Sequence, residues 1–280
     1  MEQKEQKRHL VIHGHFYQPP RENPWTERIE RQRSASPYHD WNERITRECY
    51  LPNTRSRRLD GYGRITRLVN NYEWISFNFG PTRLSWLEET HREVYEKILE
   101  ADRESAARLG GHGNAIAQAY NHIIMPLANR HDRETQIVWG RRDFELRFGR
   151  EPEGLWLPET AVNEETLSMA IDAGFSFLVL SPTQAESVRS LAKRGAWTNV
   201  SDGSVPTGCP YRCFGRGGVR GAPYIDIFFY DSPLAHDVSF NHLLRNGDAF
   251  AEAVSQAYPR TKGDLVVIAS DGENLSLIHI

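Results

Sequence analysis

The sequence predicts an α/β fold in which seven parallel strands close, or nearly close, into a (β/α) barrel. Three observations predict it. Short apolar, β-branched runs alternate with longer amphipathic stretches along the chain. Six of the seven apolar runs are followed by a polar group, as the strand ends of such a barrel would be. The chain of 280 residues, 39% hydrophobic, is long enough to bury one large core without dividing into two domains.

The candidate strands are residues 10–13, 74–79, 115–120, 154–157, 175–180, 225–230 and 265–269. Between them lie helical patterns. Residues 84–109 bring Leu87, Val94, Ile98 and Ala101 onto one face, and residues 132–148 do the same with Ile137, Phe144 and Phe148. A third pattern, 163–173, opens on Asn163, a good N-cap, with Glu165 and Thr166 in its first turn. A fourth, 240–257, follows the sixth strand. Strands that alternate with helices pair in parallel through right-handed crossovers. A doubly wound open sheet is the alternative. Its phosphate-binding glycine fingerprint is missing, because Gly215-x-Gly217-Gly218 follows no strand-to-helix junction and reads as a turn. Residues 197–221, rich in Gly, Pro, Cys and Tyr, read as an irregular or small β insertion.

Composition excludes several classes. A net charge of −3, with 34 dispersed basic residues, offers no footprint for nucleic acid or anionic lipid. No apolar run approaches the roughly 20 residues of a membrane helix, and the charged start MEQKEQKRHL is unlike a signal peptide. Three cysteines, Cys49, Cys209 and Cys213, fit a reducing compartment, so a cytoplasmic protein is expected. The Cys209-x-x-x-Cys213 pair has no second Cys/His pair close by and reads as two thiols rather than half a zinc site. No cofactor or metal is expected. The oligomeric state is not legible.

The residues after each strand carry the chemistry. They are His13, His15 and Gln18 after the first strand, Asn78 after the second, and Asn121 and His122 after the third. Glu159 follows the fourth, Asp231 the sixth, and Asp271 and Glu273 the seventh. Two carboxylates across one mouth, Glu159 and Asp271, are what glycoside hydrolysis requires. One attacks the anomeric carbon; the other protonates the leaving oxygen and later deprotonates water. Trp25 and Trp41, in the polar segment after the first strand, and Trp156, ahead of Glu159, offer flat faces for sugar rings.

Three stretches resemble signatures of glycoside hydrolase family 57. His13-Gly-His15-Phe-Tyr-Gln18-Pro19-Pro20 is similar to its first, with Phe16 and Tyr17 as two extra residues, a spacing like that of an uncharacterised branch. Gly154-Leu-Trp156-Leu-Pro158-Glu159 resembles the nucleophile signature, and Ala269-Ser270-Asp271-Gly272-Glu273 the signature whose Asp is the acid/base. Phe77-Asn78-Phe79-Gly80-Pro81 falls where another signature would, but holds no carboxylate. The resemblance covers Arg8 to about Asn274. It implies a seven-stranded, incomplete TIM-like barrel and a retaining hydrolase or transglycosidase on an α-linked glucan or oligosaccharide. Glu159 would be nucleophile and Asp271 acid/base. His13, His15, Gln18, Trp25, Asn78, His122, Trp156, Asp231 and Glu273 are the expected sugar-binding residues.

Two other functions compete. A metal-dependent polysaccharide deacetylase uses a related barrel, but His9 and His13 would lie about 13 Å apart on a strand at ~3.3 Å per residue, too far to share an ion. A non-catalytic carbohydrate-binding barrel would leave the carboxylate pair without a purpose. Finally, the closing string LSLIHI matches the translation of a transposon-end sequencing adapter. The expected organisation is therefore a truncated catalytic barrel over residues 1–274 and an adapter-derived tail over 275–280.

Overall fold

The computed structural model describes residues 7–192, 195–215 and 221–275. Its parallel strands are β1 (His9–Phe16), β2 (Ser76–Phe79), β3 (Ala117–Gln118), β4 (Gly154–Trp156), β5 (Phe177–Leu180), β6 (Tyr224–Phe229) and β7 (Leu265–Asp271). Each overlaps one of the seven runs read from the sequence. They form two sheets. One runs β7-β1-β2; the other runs β6-β5-β4-β3, with the strand Tyr211–Phe214 antiparallel on its β6 edge. A parallel bridge, Phe77 to Ala115, joins β2 to the entrance of β3. On the opposite side Asp231 N–H donates to Val267 O at 2.7 Å, tying the end of β6 to β7.

Six helices accompany these strands: α1 (Pro81–Thr90), α2 (Arg92–Arg108), α3 (Arg130–Phe148), α4 (Glu164–Asp172), α5 (Ser232–Phe240) and α6 (Gly247–Thr261). Asn163 caps α4 as expected, its Oδ1 accepting from Thr166 N–H at 2.9 Å. Two expectations need correction. The pattern 84–109 is two helices, α1 and α2, broken at His91 (φ −135°, ψ 55°), whose ring is bonded to Glu43. The pattern 240–257 is also two. Phe240 ends α5, and α6 starts afresh where Asn246 accepts from the Asp248 and Ala249 N–H groups. Apolar periodicity runs through such breaks because both halves face the same core.

Strand β7 shows how the layers form. Val266 and Ile268 are fully buried against Leu234, Val238, Val254, Ala257 and Tyr258 of α5 and α6. Val267 and Ala269, on the other face, join Ile116, Trp156 and Val179 in the interior between the strands. Successive side chains point to opposite faces, so one strand feeds two apolar layers. Burying each such side chain contributes roughly 1.5–3 kcal/mol.

The segment after β1 is more than the polar loop its sequence suggests. It holds a helical run, Trp41–Ile45, Thr46–Tyr50 and Leu51–Thr54, whose middle turn is π, and a hairpin, Ser56–Leu59 with Ile65–Val69. Part of the irregular insertion is ordered as short strands at Thr198–Asn199, which pairs with Ser187–Val188 ahead of the insertion, and at Tyr211–Phe214. Gly217 and Gly218, and residues 276–280 of the expected tail, lie outside the described residues. Leu275 packs on the cluster of Val238 and Ile268. Among the described residues no helix is long and apolar enough to cross a membrane.

Candidate active site

The site is built from the carboxyl ends of β1, β2, β3, β4 and β7. His13 and His15 are two residues apart on β1, so both side chains take the same face. Both point inward. His13 is fully buried and His15 nearly so. Both rings stack on Trp156, at centroid distances of 4.8 and 5.0 Å. Burial lowers the His13 pKa to about 4, against an opposing pull from its Asn78 hydrogen bond. Burial, with the neighbouring His122, takes His15 down to about 3. Both imidazoles are therefore neutral at physiological pH.

Asn78, at the end of β2, is the hub between them. His13 Nε2 lies 3.0 Å from its Oδ1, and its Nδ2 lies 2.9 Å from His15 Nδ1. The same Nδ2 donates to Gln118 Oε1 at 2.6 Å. Gln118 is a buried site-lining residue that the sequence reading did not single out. The available signal was a glutamine inside an otherwise apolar strand. His122, beyond β3, places its Nε2 2.8 Å from His15 Nε2 and stacks on Tyr17 at 3.7 Å. Its backbone is left-handed (φ 56°), a conformation that is costly for a side chain with a Cβ.

Glu159 follows β4 on a tight turn, Pro158–Thr160, with Glu159 itself at φ 56°, ψ 17°. Thr160 is also left-handed (φ 53°). Two consecutive non-glycine residues in this region cost about 1–3 kcal/mol each, held by the buried flanks Pro158 and Thr160. The turn leaves the Glu159 side chain exposed at the mouth. Its charge is felt by two neighbours: it opposes the burial-driven fall of the His122 pKa, and it adds to the burial that raises Asp271 above the usual carboxylate range.

Asp271 is the last residue of β7 and sits in register with His15. Just beyond, Gly272 N–H donates to His15 O at 2.7 Å. A Cβ at Gly272 would collide with the Phe16 ring, so only glycine lets β7 pass this close to β1. Glu273 turns back toward the segment after β1. Its Oε1 accepts from Tyr50 O–H at 2.8 Å and from Gln18 Nε2 at 3.0 Å. Burial raises its pKa, and those two hydrogen bonds restrain the rise. Gln18 Oε1 in turn accepts from Arg21.

The structure thus brings together His13, His15, Asn78, His122, Trp156, Glu159 and Asp271. Gln18 and Glu273 stand behind Asp271, bonded to each other. Asp231 is different: it caps α5 through Leu234 N–H and forms a two-pronged ion pair with Arg260 at 2.8–2.9 Å, while nearly fully buried. Its carboxylate is committed to the scaffold, which corrects the expected contact with sugar. Trp25 is 91% exposed on the loop bridged between Glu22 and Ile29. Cys209 and Cys213 are free thiols, exposed and half-buried.

The sequence profile described as glycosyl hydrolase family 57 matches residues 9–279. The chain belongs to that family. A curated relative, alpha-amylase 1 of Dictyoglomus thermophilum, is 26% identical over 115 residues, covering 41% of this chain and 16% of that protein. The fold is shared with the 4-alpha-glucanotransferase of Thermococcus litoralis (TM-score 0.61, 16% identity), over 97% of this chain and 34% of that one. It is shared too with an exo-type maltose-forming amylase of Pyrococcus sp. ST04 (TM-score 0.64, 17% identity), over 96% of this chain and 43% of that one. A branching enzyme of Pyrococcus horikoshii is similar at TM-score 0.55 and 15% identity, over 97% of this chain and 65% of that one. The chain therefore spans between about a third and two thirds of the length of these solved structures.

Proposed function

We propose that this chain carries the catalytic barrel of a retaining glycoside hydrolase or transglycosidase that acts on an α-linked glucan or oligosaccharide. The observation that carries the reading is the placement of two carboxylates at one mouth: Asp271 ends β7 in register with His15, Glu159 stands exposed on its turn after β4, and burial first and the neighbouring Glu159 second raise the Asp271 carboxyl. A nucleophile must stay ionised while an acid/base partner starts protonated, and two carboxylates sharing one mouth divide those roles in this way. Glu159 is the nucleophile in this reading and Asp271 the acid/base, with their carboxyls expected to face one cleft at roughly 5–6 Å in the folded protein.

His122 faces the sugar hydroxyls on a neutral wall backed by His13, His15, Asn78 and Trp156, and Trp25 supplies an outer stacking face. The seven strands are read as an incomplete TIM-like barrel, supported by the bridge at Phe77 and the hydrogen bond at Val267. Residues 1–274 are taken as the barrel, 275–280 as a foreign tail, and the cytoplasm as the site of action.

The test is a panel of α-glucans and α-galactosides with the full-length protein. Glu159→Ala is expected to abolish turnover, because no other group can form the glycosyl-enzyme intermediate. External azide should restore part of it, with inverted product. Asp271→Ala should harm substrates with poor leaving groups most, since those need protonation. A Glu159→Ala protein that turns over glycosides normally overturns the reading.

A further inference from the structure

The donor and acceptor roles around Asn78 can be followed from a fixed end. Gln118 Nε2 faces the backbone carbonyl of Ala119 at 3.4 Å, so it is the amide nitrogen of Gln118 that points there. That leaves Gln118 Oε1 toward Asn78, at 2.6 Å, and requires Asn78 Nδ2 as the donor. Asn78 Oδ1 must then accept, and His13 Nε2 at 3.0 Å gives the hydrogen. His13 Nδ1 is left as an acceptor for the Ser76 hydroxyl at 2.9 Å. The second hydrogen on Asn78 Nδ2 goes to His15 Nδ1 at 2.9 Å. Asn78 Oδ1 is also 3.2 Å from that nitrogen; the shorter 2.9 Å contact selects Nδ2 as the donor and His15 Nδ1 as the acceptor. His15 therefore carries its hydrogen on Nε2, and the 2.8 Å contact with His122 Nε2 makes the latter an acceptor.

We propose that Gln118, Asn78 and His15 form a directed hydrogen-bond chain, anchored on the Ala119 carbonyl, that fixes His122 as its neutral Nδ1–H tautomer beside Glu159. Gln118 is thereby a positioning residue, acting on the imidazole next to the nucleophile without touching the sugar. This rests on the reading of Glu159 as nucleophile. The groups that face His122 are His15 on β1, Tyr17 stacked on its ring, and Glu159 after β4; His13 acts through Asn78. A proton added to His122 Nε2 would meet the His15 N–H head on. The chain so keeps an imidazolium from forming next to Glu159, where it would pair with the carboxylate and blunt its attack.

Imidazole tautomers are read by two-bond 15N–1H correlation spectra of the 15N-labelled full chain at about pH 7.5, well above the lowered pKa values of His13, His15 and His122. His122 is expected as Nδ1–H, and His13 and His15 as Nε2–H. Asn78→Asp should reverse the end of the chain, because a carboxylate cannot donate to His15 Nδ1. His15 then becomes Nδ1–H and His122 Nε2–H. Gln118→Met removes the anchor, so His122 should show both tautomers. The acid limb of kcat/KM should also move up by roughly one pH unit, since protonation of His122 is no longer opposed. Gln118→Glu keeps an acceptor toward Asn78 and should keep the wild-type tautomer. An unfolded Asn78→Asp leaves the decision to the wild-type spectrum and Gln118→Met. The proposal is overturned by His122 as Nε2–H in the wild type, or by Gln118→Met spectra and pH profile identical to wild type. The spectra need no substrate. Correct tautomers in an inactive protein sink only the glycosidase reading; wrong tautomers in an active one sink only this chain.

Discussion

The β1–β3 side of the mouth is buried and neutral, whereas the ends of β4 and β7 bring carboxylates to its rim. His13, His15, Asn78 and Gln118 are all nearly or fully buried, and each is hydrogen-bonded. Glu159 is exposed, and Asp271 is open to solvent at the rim although its carboxyl is partly desolvated. The difference follows from desolvation. A neutral imidazole or amide enters a protein interior at little cost if its hydrogen bonds are replaced. A carboxylate that must alternate between charged and neutral forms needs water or a donor within reach. Glu273, a carboxylate set behind the rim, has the two donors Tyr50 and Gln18 to hold it.

The largest effect that tests this contrast is on stability against pH. The unfolded chain protonates these imidazoles below their ordinary 6.5, while the folded chain resists until about 4 for His13 and about 3 for His15. Their contribution is fully present above pH 6.5 and is lost as pH falls through that window. By about pH 4 the loss is roughly 3 kcal/mol per imidazole. Asp271 and Glu273 have raised values and act in the opposite sense: their penalty is present above the raised pKa and relieved on acidification. The rim thus offsets part of the wall's loss. Urea denaturation of wild type and His15→Gln across this range should show a shallower acid slope in the variant. Equal slopes would mean that His15 is not held neutral by burial.

A smaller effect is expected at the latch behind Asp271. Tyr50→Phe removes one of the two donors to Glu273, at a cost of about 1–2 kcal/mol in unfolding free energy. Because that bond holds the Glu273 pKa down, the variant should also titrate Glu273 higher, readable by carboxyl 13C shifts. If turnover falls while KM holds, the segment after β1 positions the acid/base; unchanged turnover would confine the latch to stability. The smallest effect belongs to Trp25→Ala. A ring 91% exposed contributes little to folding, so stability should change by less than about 0.5 kcal/mol. KM should rise with kcat unchanged if the ring is an outer sugar face.

Much of this arrangement is legible in the chain. Strand β7 reads Leu-Val-Val-Ile-Ala-Ser-Asp, an apolar run ending on a carboxylate, and its place in the structure matches. Other residues were misread for definite reasons. Asp231 looked like a site residue because an aspartate after a strand serves equally as a helix cap; the Ser232-Pro233 that follows is the helix-start signal that separates the two. The break at His91 is set by a bond to Glu43, 48 residues away, and no periodicity reports that.

The sequence by itself determined the α/β order, the seven strands and the carboxylates at two of their ends, because alternation of apolar runs and the polar residues that stop them are local properties. Only the tertiary structure decided how those ends meet. It placed Gln118 under Asn78, His122 against His15, and Glu273 between Gln18 and Tyr50, contacts between residues 40 to 255 positions apart. Hydrogen-bond direction and desolvation depend on which groups converge after the chain has closed. The charge state of the site is therefore a property of the fold.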